Sequence, residues 1–372
     1  MKHNLLIDTI SLLSPLTGIG RYAYEVSKEL KSISDFEIDF FYGYYSKELI
    51  SPYSHKGIKN IKSFISNFPK LKSLARDIIG VSAQILAKEY DLYWQPNFIP
   101  HNRVKAKKII TSVHDFSFLK YRAYHPKETL NYFDSNFFQN IYRSNKIITG
   151  SNYTKNEILE RLDFKEEDIK VIYHGINHNI FRVYQDIKIE LNFPKKFILS
   201  VGTVEPRKNL LRLLRAYELL DIELKEEYNL LLVGFKGWEN REIMKIINKN
   251  SKYIKYLGFI SDRDLAKVYN LASCFIYPSI YEGFGIPPLE AMACGTPVIS
   301  SNSSSLPEVG KDSVLYCNPN SIEDIKSKIE QLLSDKNLQN NLIKKGLKRA
   351  KLFSWEKSAK EHLNLFQEVV EI

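Results

Sequence analysis

Short apolar runs alternate with amphipathic stretches along the whole chain. The runs are rich in Ile, Leu, Val, Phe and Tyr, which is typical of buried strands, and the stretches between them carry apolar residues at helical spacing. The strands predicted in the first half are Leu5–Asp8, Phe36–Tyr42, Leu92–Gln95, Ile109–Val113, Lys146–Thr149 and Lys170–Tyr173. Those predicted in the second half are Phe197–Val201, Asn229–Val233, Tyr253–Leu257, Cys274–Tyr277, Pro297–Ser300 and Val314–Tyr316. Such alternation predicts parallel sheets covered by helices.

The length favours two domains. A chain of 372 residues exceeds one core of ordinary size. Each half has enough strands for one doubly wound α/β sheet, and a short polar stretch at 186–194 precedes the strand that begins at Phe197. The sequence therefore predicts Rossmann-like domains at 1–190 and 191–354 and a closing helix at 355–372. Ligands of doubly wound sheets bind beyond the carboxyl ends of the strands, so we expect a cleft between two such domains.

Composition is that of a globular enzyme. Hydrophobic residues make up 44% of the chain, and no apolar run approaches the roughly 20 residues of a membrane span. The N-terminus enters a strand directly, with Asp8 where a signal peptide would continue its apolar stretch. The three cysteines are scattered in apolar segments, which is typical of buried thiols in a reducing compartment. We expect a cytoplasmic protein.

The net charge of +10 is confined to one block. Residues 56–127 hold 14 Lys or Arg against four acidic residues, and the remainder of the chain is neutral. Within the block, residues 56–79 combine apolar positions at helical spacing with basic residues on the other faces. This pattern fits peripheral binding to an anionic membrane surface, and it also fits a core-facing helix with a solvated basic face. Nucleic acid is a poorer partner, because the block carries no recognised nucleic-acid motif.

The run Glu282–Gly295 carries the densest chemical signal. Two acids, Glu282 and Glu290, are separated by seven residues that include a Gly-Phe-Gly turn and a Pro-Pro pair. Proline is favoured in the first turn of a helix, so a helix is predicted to start at Pro287 and to end at Gly295. The amides of residues 283–286 then lie at the positive end of the helix dipole, where an anion is stabilised. The pattern indicates a site for a ligand that is both phosphorylated and rich in hydroxyls.

Two further segments are candidates for binding phosphate. Arg207 and Lys208 follow the strand that ends at Val201 and precede a helix, where a guanidinium and an ammonium can clamp a diphosphate. Gly18-Ile-Gly20 stands at a strand-to-helix turn, which suits either close approach of phosphate or a plain tight turn.

The acidic pair of Asp262-Arg-Asp264 has the spacing of some metal-binding motifs. It precedes apolar residues at helical spacing. The pair is therefore interpreted as a helix N-cap with an acidic first turn, and no metal is required.

Together these segments resemble the retaining glycosyltransferases of family 4, which have the GT-B fold. The Glu282–Glu290 run matches the E-x7-E signature of that family. The other segments that carry the resemblance are Thr17–Tyr22, Ser112–Asp115, Val201–Asn209, Leu232–Gly234, Tyr256–Ile260, Cys274–Ser279 and Ser301–Glu308. They occur in the order and spacing of the family. The similarity covers essentially the whole chain and is strongest from about residue 200 to 308.

The resemblance implies roles for individual residues. The implied catalytic residues are His114, Arg207, Lys208 and Glu282. The implied donor-binding residues are Gly18, Gly20, Gly202, Arg207, Lys208, Gly258, Phe259, Glu282, Gly283, Phe284, Gly285, Ile286 and Glu290. In this scheme Arg207 and Lys208 neutralise the leaving diphosphate in place of a metal, Glu290 binds the ribose, and Glu282 and His114 contact the donor sugar. Asp115 orients His114 or approaches the acceptor, and the other seven histidines are structural.

The resemblance also implies the substrates. The overall pattern is similar to bacterial mannosyltransferases of surface-polysaccharide assembly, which favours GDP-mannose as donor and a saccharide or polyprenyl-diphosphate-linked glycan as acceptor. A UDP-sugar or deoxysugar nucleotide is the alternative donor. A sugar-nucleotide epimerase, a phosphorylase and a non-catalytic assembly subunit remain as alternative functions. No separate cofactor is expected.

Overall fold

The computed structural model describes residues 2–13, 18–52, 88–190, 193–237 and 241–371. The whole basic segment 56–79, with its predicted membrane contact, and Thr17 lie outside these residues. None of the helices in this described part of the chain combines the length and apolar character that a bilayer span requires.

Two sheets form the framework, as the strand pattern predicts. The strands of the first are β1 (Asn4–Asp8), β2 (Glu37–Phe41), β3 (Tyr45–Ser46), β4 (Tyr90–Gln95), β5 (Ala106–Ser112), β6 (Lys146–Thr149) and β7 (Ile169–Val171). Those of the second are β8 (Phe197–Val201), β9 (Asn229–Val233), β10 (Ile254–Gly258), β11 (Cys274–Tyr277), β12 (Val298–Ser301) and β13 (Leu315–Cys317). The orders are β3-β2-β1-β4-β5-β6-β7 and β10-β9-β8-β11-β12-β13. The α/β fold class with two doubly wound sheets is confirmed.

Every strand pairing is parallel except that of β2 with β3. The two-residue strand β3 was not predicted, because Tyr45–Ser46 is too short to show an alternating pattern. Strand β3 pairs antiparallel with β2 and forms one edge of the first sheet. The β1 residues Leu5, Leu6 and Ile7 are fully buried. A strand that helices cover on both faces must be apolar throughout, which is why these runs were recognisable.

Helices connect the strands. The helices of the described residues are α1 (Gly18–Ile33), α2 (Ser117–Lys120), α3 (Lys127–Ile141), α4 (Asn152–Arg161), α5 (Leu210–Glu218), α6 (Ile222–Glu227), α7 (Arg241–Lys249), α8 (Asp262–Leu271), α9 (Ile286–Ala293), α10 (Leu306–Gly310), α11 (Ile322–Ser334), α12 (Lys336–Ala350) and α13 (Trp355–Glu371). The 3-10 turns are Ile10–Leu13, Arg122–Tyr124, Glu166–Asp168, Pro206–Lys208 and Lys311–Ser313.

The chain divides into two compact units that are not contiguous in sequence. Unit 1 comprises residues 1–114, 128–175 and 355–372, and unit 2 comprises residues 115–127 and 176–354. Unit 2 therefore begins before the predicted join at 190. The reason is local packing, because the ring of Phe181 packs against Tyr269 and the Tyr184 amide donates to the Asn270 side chain. These contacts attach residues 181–184 to helix α8 of unit 2.

A buried hydrogen-bond chain ties helix α13 to the core of unit 1. His362 Nδ1 lies 2.7 Å from the carbonyl oxygen of Ser358, which can only accept, so Nδ1 carries the proton and Nε2 accepts. Tyr22 then donates to His362 Nε2 at 2.6 Å and accepts from Ser112 at 2.9 Å. Ser112 in turn accepts from the indole of Trp94 at 3.0 Å. Each polar group in the chain has one consistent role, so the network is fully satisfied.

Burial lowers the pKa of His362 to about 4, against an ordinary value of 6.5. The folded state thus holds this ring neutral, and its contribution to stability is present above pH 6.5 and is lost as pH falls toward 4. Between pH 7.5 and 5, wild type should lose about 2 kcal/mol more unfolding free energy than His362→Gln. Urea titrations at both pH values measure this difference.

Wild type must be compared with His362→Gln because Asp8 also titrates in this pH range. Burial raises the pKa of Asp8 to about 6, so protonation of Asp8 adds stability as pH falls, opposite to the effect of His362. His3→Gln, a change at an exposed ring, is the control and should keep the wild-type difference between the two pH values. An equal pH response of wild type and His362→Gln would refute the assignment.

Candidate functional site

The site in unit 2 is built at one point of the sheet. Strand β8 pairs with β9 on one side and with β11 on the other, so the strand order reverses between β8 and β11. Loops that leave the carboxyl ends of strands at such a switch point turn in opposite directions and leave a crevice where ligands bind. The loop after β8 carries Arg207 and Lys208, and the loop after β11 carries Glu282. The structure thus brings the predicted clamp and the first predicted acid to one edge.

The turn that presents the two cations is fixed by Asn209. This residue has a left-handed backbone, with φ of 61°, and it is buried. Its side-chain amide donates to the carbonyl oxygens of Pro278 at 3.0 Å and Pro319 at 2.7 Å. Asparagine tolerates the left-handed region better than most residues. The turn Pro206–Lys208 is therefore anchored to the loop that follows β11.

Glu282 lies between the two cations. Its Oε2 accepts from Arg207 Nη1 at 2.9 Å, and its Oε1 accepts from Lys208 Nζ at 2.6 Å. The hydroxyl of Tyr277 lies 2.8 Å from the same Oε1 and 3.0 Å from Lys208 Nζ. Arg207 Nη2 also donates to Glu205 at 2.9 Å. Two partly buried cations and two buried carboxylates thus form one network of alternating charge.

The network sets the protonation of its members. Burial by itself would raise the pKa of Glu282, but the Lys208 and Arg207 charges outweigh it and hold that pKa at about 2. Burial by itself would lower the pKa of Lys208. The interactions with Glu282 and Tyr277 outweigh burial, so the pKa of Lys208 is raised. The pKa of Arg207 is raised for the same reason, with Asp115 and Glu205 contributing after Glu282. All three groups are ionised at neutral pH.

The loop from Glu282 to helix α9 is held by two serines. The amide of Glu282 donates to Ser304 Oγ at 2.8 Å, and Ser305 Oγ lies 2.8 and 2.9 Å from the carbonyl oxygens of Glu282 and Phe284. Gly285 caps the helix with φ of 111°, where an added Cβ would lie 2.5 Å from Leu306. Only glycine fits this position. The helix starts at Ile286, one residue before the predicted start, and ends at Ala293, two residues before the predicted end; the proline pair lies in its first turn, as predicted.

The second acid, Glu290, lies inside helix α9 and is buried. The hydroxyl of Tyr269 donates to its Oε2 at 3.3 Å. Burial and the Glu290 charge together raise the pKa of Tyr269, so this hydroxyl stays protonated and remains a donor. Glu290 is thus a buried carboxylate that accepts from a neutral hydroxyl.

The predicted glycines of unit 2 lie at the ends of adjacent strands. The amide of Gly202 donates to Val233 at 2.9 Å, and that of Gly234 donates to Gly258 at 2.9 Å. A Cβ on Gly234 would lie 2.0 Å from the carbonyl oxygen of Gly202, so the two loops touch through their backbones. A Cβ on Gly202 would lie 3.7 Å from the Lys208 stem. Phe259 follows at the end of β10 and is exposed.

His114, Gly18 and Gly20 belong to unit 1. His114 Nε2 lies 2.7 Å from the Pro96 carbonyl oxygen, which assigns a proton to Nε2. Its ring packs edge-on against Tyr22 at 5.1 Å and Phe98 at 5.3 Å. Gly18 begins helix α1, as predicted, and an added Cβ there would meet open space. Gly20 is buried in the same helix.

Asp115 and its neighbours belong to unit 2. The Asp115 carboxylate accepts from the Ser117 amide at 2.8 Å and lies close enough to raise the pKa of Arg207. Burial lowers the pKa of His125, while Asp115 raises it and Arg207 lowers it. The sequence interpretation treated His125 as structural. The charges of Asp115 and Arg207 both act on the pKa of this ring, so it is coupled to the charged network.

The N-cap of helix α8 lies one residue before the predicted Asp262. The N-cap of α8 is Ser261, whose Oγ accepts from the Asp264 amide at 3.2 Å. Asp262 and Asp264 occupy the first turn, where acids favour the helix dipole. The cap lies one residue earlier than expected, because serine competes well for this position.

Several members of the site were missed from sequence. Glu205 and Tyr277 are buried partners of the cations, and Asn209, Ser304 and Ser305 shape the loops that carry them. Glu205 and Asn209 are close to Arg207 and Lys208 in the sequence, so the sequence already placed them near the two cations. Tyr277 carried no signal beyond its place at the end of an apolar strand.

Comparison with known proteins agrees with this architecture. The family described as "Glycosyl transferases group 1" matches residues 184–349, and "Glycosyltransferase Family 4" matches residues 16–180. The O-antigen chain mannosyltransferase B of Escherichia coli is 32% identical over 98% of this chain and 99% of its own length.

Solved structures match over nearly the whole chain. Sucrose-phosphate synthase from Thermosynechococcus elongatus is 21% identical, with a TM-score of 0.72 and 99% of each chain covered. The Anabaena protein HepE, in complex with UDP and glucose, is 14% identical, with a TM-score of 0.68 over 98% of this chain and 100% of its own. At these identities the likeness shows the fold alone. Together with the relative that is 32% identical over its full length, these findings lead to one conclusion: the chain belongs to the family 4 glycosyltransferases and has the GT-B fold.

Proposed function

We propose that this glycosyltransferase moves a mannosyl group from GDP-mannose to a saccharide acceptor in the assembly of a surface polysaccharide. The observation that carries the transfer chemistry is the pair of partly buried cations, Arg207 and Lys208, at the switch point of the unit 2 sheet. The choice of mannose is supported by the full-length relative, an O-antigen chain mannosyltransferase. A second relative of that kind, from Salmonella typhimurium, is 29% identical over 54% of this chain.

The cations suit the leaving group. In the transfer, the bond between the sugar C1 and the donor phosphate breaks, and its electron pair stays on the phosphate oxygen. Fixed charges aimed at that oxygen stabilise the transition state without any reorganisation. The acceptor hydroxyl forms the new bond to C1, and its proton passes to the leaving phosphate. Retention of the anomeric configuration and attack from the same face are proposed from family membership.

Other roles extend the proposal. Glu290 binds the ribose hydroxyls, and Glu282, released in part from the cations, contacts the donor sugar. From the family resemblance, His114, Gly18 and Gly20 are proposed to act on the donor, and Asp115 on the acceptor. We further propose that a polyprenyl-diphosphate-linked glycan is the acceptor. Contact of residues 56–79 with an anionic membrane remains a prediction from the sequence.

Removing either cation should abolish most turnover. Arg207→Ala and Lys208→Ala should each reduce kcat/KM by at least about a hundredfold, the loss expected when a preorganised charge donor is removed. The matched control is Arg215→Ala, which breaks the exposed pair with Glu242 at 2.9 Å. Surface pairs contribute little, so this variant should stay within about twofold of wild type. Near-normal turnover of folded Arg207→Ala and Lys208→Ala would exclude them from the mechanism.

Substitution of Glu290 and of Glu282 should change the affinity for GDP in opposite directions. Glu290→Ala should weaken GDP binding, because a carboxylate assigned to the ribose is lost. Glu282→Gln should strengthen GDP binding but reduce turnover, because Arg207 and Lys208 lose the anion that now neutralises them. Calorimetry with GDP measures the first effect, and initial rates measure the second. Equal loss of GDP affinity in both variants would show that the roles are misassigned.

Transfer should be independent of divalent metal. The proposal assigns the leaving phosphate to two side-chain cations, and it leaves Asp264 as part of the α8 cap. Initial rates should therefore be nearly the same with EDTA and with added Mg²⁺. Complete loss of activity in EDTA, restored by Mg²⁺ or Mn²⁺, would contradict this assignment.

A further inference from the structure

Tyr281 attaches the segment 115–127 to the charged network of unit 2. This tyrosine is buried, and its carbonyl oxygen accepts from Arg207 Nη1 at 2.9 Å. Its hydroxyl accepts from the Phe116 amide at 2.8 Å, and its ring contacts the ring of Tyr121, with 5.3 Å between centroids. The segment therefore lies against a residue that binds one of the two cations.

A 3-10 turn in this segment stacks two tyrosine rings. The Tyr124 amide donates to the Tyr121 carbonyl oxygen at 2.8 Å and closes the turn Arg122–Tyr124. Side chains three residues apart eclipse one another in a 3-10 turn. The rings of Tyr121 and Tyr124 accordingly lie 5.7 Å apart between centroids, with 13° between their planes, and both are partly exposed. The turn and the contact with Tyr281 hold these rings in place, so the stacked pair is a preorganised aromatic surface.

Polar groups lie beside the stacked pair. His125 follows Tyr124 directly, and its Nε2 lies 3.0 Å from Ser117 Oγ. The amide of Ser117 donates to the Asp115 carboxylate at 2.8 Å, so Ser117 connects His125 to the residue proposed for the acceptor side. A hexose ring has faces of C–H groups, which the negative face of an aromatic ring attracts, and a rim of hydroxyls, which need hydrogen-bond partners. The segment offers both.

We propose that Tyr124, supported by Tyr121, is the surface on which the acceptor sugar stacks, with the polar groups of Asp115 and His125 beside the hydroxyls of that sugar. This inference rests on the proposed function and specifies how the acceptor is recognised, through a hexose ring of the glycan rather than through its lipid carrier. The donor is assigned to the two cations and Glu290, so loss of the Tyr124 ring affects the acceptor alone.

The test varies acceptor and donor separately. Initial rates are measured with GDP-mannose and the methyl α-glycosides of mannose, glucose, galactose and N-acetylglucosamine, on wild type, Tyr124→Ala and Tyr124→Phe. Tyr124→Ala should raise KM for the best of these acceptors at least about fivefold, as expected for loss of one aromatic contact. Its kcat, its KM for GDP-mannose and its calorimetric affinity for GDP should stay within about twofold of wild type, the pattern of lost acceptor binding. Tyr124→Phe keeps the ring and should retain the wild-type KM.

Tyr142→Ala is the matched control. Tyr142 is 50% exposed, and its ring stacks on Phe164 at 5.6 Å with 15° between the planes, so this variant removes a similar aromatic contact in unit 1. It should keep the wild-type KM for every substrate.

The contrary outcomes separate this inference from the proposed function. An unchanged acceptor KM in Tyr124→Ala, an equal loss of GDP affinity in that variant, or an equal rise of acceptor KM in Tyr142→Ala would overturn the stacking of the acceptor alone. Absence of transfer to all of the glycosides by a wild type that binds GDP would do the same. If wild type neither binds GDP nor consumes GDP-mannose, the proposed transfer fails and the acceptor assignment fails with it.

Discussion

The site of this glycosyltransferase depends on one buried carboxylate held between two cations. Removing a charge from water costs several kcal/mol, and Glu282 stays ionised in its buried position because the partly buried Arg207 and Lys208 neutralise it. Tyr277 accepts from Lys208, Glu205 accepts from Arg207, and both belong to the same network. The cations are therefore in place before any ligand arrives, and in the proposed reaction Glu282 moves away from them in part so that the donor phosphate can bind.

The strand order explains why the members of this network meet. Arg207 and Glu282 are 75 residues apart in sequence. The strands that precede them, β8 and β11, are nevertheless neighbours, at the point where the strand order of the sheet reverses. Asn209 then ties one loop to the other through the Pro278 carbonyl. A local motif on each loop supplies the chemical groups, and the topology supplies their proximity.

The sequence was a good guide to the strands and to the charged motifs, and a poor guide to the contacts between them. Lys146–Thr149 and Phe197–Val201 were predicted with their observed ends, because strands buried on both faces are uniformly apolar. The pairing of Glu282 with both cations was not predicted, because it depends on the strand order. The change of unit at residue 176 was also missed. The polar stretch at 186–194 suggested a join, whereas the packing of Phe181 on Tyr269 decides where the segment belongs.

The position of helix α13 affects how the protein can be divided. Unit 1 is assembled from three separate stretches of the chain, and the last of them carries Leu365 and Phe366, both buried in that unit. A fragment ending near residue 175 would lose these side chains and expose the surface they cover. It would also leave the Tyr22 hydroxyl without its acceptor, His362. The ribosome therefore completes all of unit 2 before unit 1 has its full core, so unit 1 reaches its native stability only after helix α13 has been synthesised.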